Sequence, residues 1–67
     1  MGETLYTNVI RMLWRQHAKG PGVATFDYDD GGHDHRKMSQ YEARNLAQSL
    51  GLGAVQERPD IEEWVRR

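Results

Sequence analysis

Carboxylate and imidazole side chains are concentrated in one short stretch of the sequence. Residues 23–38 read VATFDYDDGGHDHRKM and contain four aspartates and two histidines. Imidazole is a good ligand for zinc, nickel and copper, and neighbouring carboxylates favour the protonated, charged form of histidine. The stretch therefore indicates either a divalent transition-metal site or a pH-responsive group, formed by Asp27, Asp29, His33 and His35. The alternative is an ordinary solvated surface of the same segment.

A β-hairpin over residues 23–38 is the element that would hold these side chains. Residues 23–28 alternate in polarity, with Ala24, Phe26 and Tyr28 on one side. A three-residue loop at Asp30-Gly31-Gly32 suits a type I turn that closes on a glycine. That loop predicts three cross-strand pairs: Asp29 with His33, Asp27 with His35, and Ala24 with Met38. A two-residue loop would instead place Asp27 opposite Asp34, a like-charge pair that is unfavourable.

Three helices are predicted around the hairpin. Residues 5–19 carry apolar residues at i, i+4 and i+8, and Gly20-Pro21 ends that segment. Residues 40–50 follow a capping box formed by Ser39 and Glu42, with Gly51 as the C-terminal stop. A second capping-box pattern, Asp60 with Glu63, predicts a short helix over 61–66. Between the predicted helices 40–50 and 61–66, residues 54–56 are compatible with a short third strand.

The predicted fold is a single compact α+β domain over residues 1–67, with the element order α-β-β-α-α. Its helices would pack on one face of a two- or three-stranded antiparallel sheet. The side chains expected in the core are Leu13, Trp14, Ala24, Phe26, Leu46 and Leu50.

The bulk composition limits the possible functions. The chain has 67 residues, no cysteine and a net charge of −1, so disulfides and thiolate zinc sites are excluded. A core of this size supplies only about 3–5 kcal/mol, which favours a protein partner or a homodimer. No window is apolar enough to span a membrane and the first residues do not resemble a signal peptide, so a cytoplasmic protein is expected.

Nucleic-acid binding is a third possibility. In the predicted first helix, Arg11, Arg15 and Lys19 would form a basic stripe at i, i+4 and i+8, which could follow a phosphate backbone. The balanced net charge argues against this function, because nucleic-acid binders usually carry a basic field.

Catalysis has little support in the sequence. The chain has no cysteine nucleophile and no glycine-rich phosphate loop, so it is predicted not to be an enzyme. We expect instead a small protein-binding module, an inhibitor or adaptor, that uses Tyr28, Arg36, Tyr41 and Arg44 as contact residues. In size and lack of motifs the chain resembles small phage-encoded accessory proteins such as anti-CRISPR inhibitors. No cofactor is expected unless the Asp/His segment binds a metal.

Overall fold

The described residues fold as a five-stranded antiparallel sheet with one helix. The computed structural model describes residues 8–66. In chain order the elements are β1 (Val9–Arg15), β2 (Val23–Tyr28), β3 (His33–Lys37), α1 (Gln40–Ser49), β4 (Leu52–Glu57) and β5 (Ile61–Arg66). The strands lie in the order β3-β2-β1-β5-β4, so the first and last strands pair at the centre.

The predicted order α-β-β-α-α is wrong because two of its helices are strands. Within the predicted helix 5–19, residues 9–15 form β1, while residues 5–7 lie outside the described part of the chain. A β-bulge at Ile10 shifts the pairing with β2. The buried side chains of β1 therefore fall at Val9, Met12 and Trp14, and this spacing of three and then two residues imitates a helical pattern.

The predicted helix over 61–66 is also a strand, β5. Its alternation is hard to recognise, because the inward positions hold Glu62 and Trp64 while the outward positions hold Ile61 and Val65. A charged residue on the buried side removes the apolar signal that identifies a strand. The pattern of Asp60 and Glu63 then favours a helix start that does not form.

The helix over residues 40–50 is confirmed as α1. The Ser39 hydroxyl accepts a hydrogen bond from the Glu42 backbone N–H, and the Glu42 carboxylate accepts one from the Ser39 N–H, at 3.1 and 2.9 Å. Gly51 follows with φ +77°. At ten residues, α1 has about half the length needed to cross a bilayer, and no helix within residues 8–66 is long and apolar enough to do so.

The hairpin over residues 23–38 is confirmed as β2 and β3, but its predicted register is wrong. Asp27 pairs with His33, Thr25 with His35, and Ala24 with Arg36. The Tyr28 N–H donates to the Gly32 carbonyl and the Gly31 N–H donates to the Tyr28 carbonyl, at 2.9 and 3.1 Å. The three-residue loop is therefore 29–31, one position earlier than predicted, and Gly31 at its end has the required positive φ of +89°. The strand predicted over residues 54–56 lies within β4.

The core lies between α1 and one face of the sheet. Of the predicted core residues, Trp14, Ala24 and Phe26 are buried, whereas Leu46 and Leu50 are half-buried against them. Leu13 is a half-buried residue of the opposite face, so its prediction as a core residue is wrong. The indole N–H of Trp14 donates to the Met38 carbonyl at 2.9 Å. The other buried apolar residues are Val9, Met12, Ala43, Ala47, Leu52 and Trp64.

Candidate binding face of the sheet

Within the described part of the chain, residues 8–66, no helix lies on one face of the sheet. The buried cluster joins α1 to one face, and side chains at alternate strand positions point to the other. We call the second face the open face. Its members follow from the strand register: Arg11, Leu13 and Arg15 of β1; Val23, Thr25 and Asp27 of β2; His33, His35 and Lys37 of β3; Gln56 of β4; Ile61, Glu63 and Val65 of β5.

An ion triad lies at the centre of the open face. Arg11 donates from Nε to Glu63 Oε2 at 2.6 Å and from Nη1 to Asp27 Oδ2 at 2.9 Å, so it bridges three adjacent strands. The hydrogen bond to Glu63, followed by that to Asp27, raises the pKa of the Arg11 guanidinium. These side chains are partly exposed, so the triad contributes little to stability. It does hold three charged groups in fixed positions.

Four aliphatic side chains surround the triad. Leu13, Val23, Ile61 and Val65 all belong to the open face and all are only half-buried. No other element of the described chain covers them. The open face therefore combines aliphatic surface with ordered charges, a composition found where proteins contact one another.

The predicted metal ligands do not converge. His33 lies opposite Asp27, but the Asp27 carboxylate is bound by Arg11. The ring centroids of His33 and His35 are 6.4 Å apart, and Asp29 lies in the loop after β2, where its N–H donates to the Asn8 carbonyl. Residues 8–66 contain no group of three or more His, Asp or Glu side chains placed to hold a metal ion.

The residues predicted to bind a partner lie on the other side of the sheet. Tyr28 packs against the buried cluster, and Arg36 is paired with the buried Ala24. Tyr41 is 71% exposed on α1, while Arg44 of the same helix is bound to Glu62. These four side chains therefore belong to the helix side, separate from the open face.

Two residues of the predicted basic stripe share a face, but for a different reason. Arg11 and Arg15 belong to a strand, and residues at even spacing in a strand point the same way. Both lie on the open face, whereas Lys19 lies in the loop between β1 and β2. Arg11 is engaged by Asp27 and Glu63, so the helical stripe does not exist.

The full burial of Glu62 was not predicted from the sequence. Its carboxylate, with an exposed fraction of 0%, accepts hydrogen bonds from Gln40 Nε2 at 2.8 Å and from Arg44 Nη2 and Nε at 3.1 and 3.3 Å. The hydrogen bond and the charge of Glu62 raise the pKa of the Arg44 guanidinium. These contacts join the first half of α1 to β5. A depression of about 420 Å³ lies beside them, lined by Gln40, Arg44, Glu57, Arg58 and Pro59.

Comparisons with known proteins give no match. No protein-family model matches the chain, and neither a curated protein nor a solved structure does. The chemistry and geometry of the open face are therefore the basis for a functional proposal.

Proposed function

We propose that this protein is a small non-enzymatic binding module, an inhibitor or adaptor, that docks onto a larger protein through the open face of its sheet. The observation that carries the proposal is the position of Leu13, Val23, Ile61 and Val65, which are half-buried on a face that no helix of the described residues covers. Antiparallel sheets with one solvated face usually place polar side chains there. Four aliphatic residues at such positions are better explained by a surface that becomes covered on binding.

The Arg11 triad supports the same proposal. Arginine is enriched at protein interfaces and among the residues that dominate their binding energy. Arg11 is already held by Asp27 and Glu63 at 2.9 and 2.6 Å. Because its conformation is set before binding, the Arg11 side chain loses less entropy when a partner contacts it.

A protein partner fits the open face better than a nucleic acid does. Single-stranded nucleic acids bind sheets through exposed aromatic rings, but Trp14, Phe26 and Trp64 all point into the core. The carboxylates of Asp27 and Glu63 lie at the centre of the face and would repel phosphate groups. Aliphatic contact with a protein surface needs no exposed aromatic rings and involves no repulsion between phosphates and carboxylates.

Affinity capture with matched variants tests the proposal. The tagged protein is compared with a Val23→Thr/Val65→Thr variant, which removes apolar surface but keeps the β-branched shape suited to strands. The control is Tyr41→Ser, which removes a more exposed apolar side chain from the helix side. Thermal melting confirms that both variants are folded.

We expect one protein complex to be retained by the wild type and by the Tyr41 variant, and to be lost with the threonine variant. Retention by the threonine variant together with loss by the Tyr41 variant would place the interface on the helix side. Equal retention by all three proteins would also contradict the proposal.

A further inference from the structure

A depression with two arginine side chains lies at one end of the open face. It has a volume of about 350 Å³ and lies where β1 and β5 meet the adjoining loops. The backbone fixes its rim, since the Gln16 N–H donates to the Asp60 carbonyl at 2.9 Å and the Arg58 N–H to the Ile61 carbonyl at 2.8 Å. Its lining residues are Arg15, Gln16, Gln56, Arg58, Asp60 and Ile61.

Among residues 8–66, no carboxylate contacts the two guanidinium groups of this depression. Arg11 and Arg44 are both engaged by carboxylates, whereas neither Arg15 nor Arg58 forms an ion pair with any residue between 8 and 66. Asp60 is the one carboxylate in the lining, so the depression carries a net positive charge. It is therefore complementary to an anionic group.

The same end of the open face also offers apolar surface. The register places Lys37, Val23, Arg15 and Ile61 in one row across four strands. Cations and aliphatic side chains thus alternate along the row. Successive side chains of an extended peptide point to opposite sides, so the matching pattern is one in which acidic and apolar residues alternate at every second position.

We propose that this depression anchors an acidic segment of the protein partner. The inference rests on the proposed function and names the partner's chemistry. A glutamate or aspartate carboxylate would accept hydrogen bonds from Arg15 and Arg58, whose planar guanidinium groups suit carboxylate oxygens. Apolar residues two positions before and after it, which point to the same side, would contact Val23 and Ile61. A nucleic acid fits less well, because its repeated phosphates would meet Asp60, while a peptide can place an uncharged residue there.

An NMR titration with defined probes tests the inference. The 15N-labelled protein is titrated with the peptide acetyl-Glu-Ser-Leu-Ser-Glu-Ser-Leu-amide, whose glutamates and leucines share one side of an extended chain, with its glutamine counterpart, and with an oligothymidylate. The Nε–H signals of Arg15 and Arg58 report on the depression directly. Arg15→Gln and Arg58→Gln are compared with Lys19→Gln, which removes one exposed positive charge from the β1–β2 loop.

We expect the glutamate peptide to shift both arginine signals to saturation and the glutamine peptide to leave them in place. Either arginine variant should weaken binding about tenfold or more, the factor that one charge-assisted hydrogen bond provides, while the Lys19 variant keeps most of the affinity. Equal weakening by the Lys19 variant would contradict a specific anchor. Tighter binding of the oligothymidylate would overturn the choice of a protein partner.

The two proposals can fail separately. If the glutamate peptide does not bind but capture of a partner still depends on Val23 and Val65, the acidic anchor is wrong and the open face remains the interface. If capture does not depend on those residues either, the proposed function is wrong as well.

Discussion

Replacing Gly22 with alanine should destabilise the protein much more than the same change at Gly20. Both glycines lie in the loop between β1 and β2 and both have positive φ, +108° and +85°. A Cβ atom at Gly22 would lie 2.8 Å from the Arg15 carbonyl oxygen and 2.8 Å from two ring carbons of the buried Trp14. A Cβ atom at Gly20 would have nothing within 4 Å. Comparing the two alanine variants therefore separates the effect of backbone strain from that of steric overlap.

The expected magnitudes follow from these contacts. A non-glycine residue at positive φ costs about 1–2 kcal/mol, and this cost applies to both variants. Overpacking against backbone and a buried ring adds about 1–3 kcal/mol, and it applies to Gly22 alone. The Gly22 variant should thus lose about 2–5 kcal/mol, comparable to the roughly 3–5 kcal/mol that a core of this size supplies. Its urea midpoint should therefore lie well below that of the Gly20 variant, which bears only the cost of about 1–2 kcal/mol for positive φ.

Urea unfolding followed by tryptophan fluorescence measures this difference. Trp14 and Trp64 are 3% and 2% exposed, so their emission reports on loss of the core. The free energy of unfolding falls linearly with urea, which allows the two midpoints to be compared. Equal midpoints for the Gly22 and Gly20 variants would refute the packing of Trp14 against this loop.

Two further predictions concern α1. Ser39→Ala should lower the free energy of unfolding by about 1 kcal/mol through loss of the capping box, while Ser49→Ala at the exposed end of the helix should change it by a few tenths; equal losses in denaturation curves would contradict the cap. Arg44→Leu leaves the buried Glu62 carboxylate with Gln40 as its one hydrogen-bond donor among residues 8–66, so adding Glu62→Leu should restore stability. A double variant less stable than Arg44→Leu would contradict this. The raised pKa of Arg44 means that the pair's contribution is present below the ordinary arginine range and is lost only above it. The difference in melting temperature between wild type and the double variant should therefore stay constant from about pH 7 to about pH 9.

The elements that could be predicted are those with local, self-contained signals. The capping box of Ser39 and Glu42 and the stop at Gly51 identify α1 because each depends on residues within one helical turn. The hairpin follows from alternation and a glycine-containing loop, although its position shifted by one residue. Such signals are read within a few residues and do not depend on the rest of the fold.

The errors arose where long-range packing decides the structure. β1 pairs on both sides, and its bulge at Ile10 exists only in relation to β2. The buried Glu62 carboxylate is stabilised by hydrogen bonds from Gln40 and Arg44, which belong to a helix distant in sequence. Neither the bulge nor the partners of Glu62 can be recognised in a short window of sequence. In each case a strand was therefore predicted to be a helix.

The same limit applies to the candidate site. Asp27, His33, Arg11 and Arg15 were identified as residues of interest, and the structure places all four on the open face. Their grouping could not be predicted, because it depends on β5 bringing Glu63 beside Arg11. The role of Ile61 and Val65 on this face could not be predicted either, since they were assigned to a helix.

The central pairing of β1 with β5 has a consequence for the kinetics of folding. The strands β1, β2 and β3 form a meander, and β4 with β5 forms a hairpin, so each part depends on contacts between neighbours in sequence. The pairing of β1 with β5 joins residues about 50 positions apart, such as Arg11 and Glu63, and long-range pairing of this kind slows folding. During synthesis the sheet stays incomplete until residues 61–66 have left the ribosome. Until then β1 exposes an unpaired strand edge, which can pair with another chain and so favours aggregation.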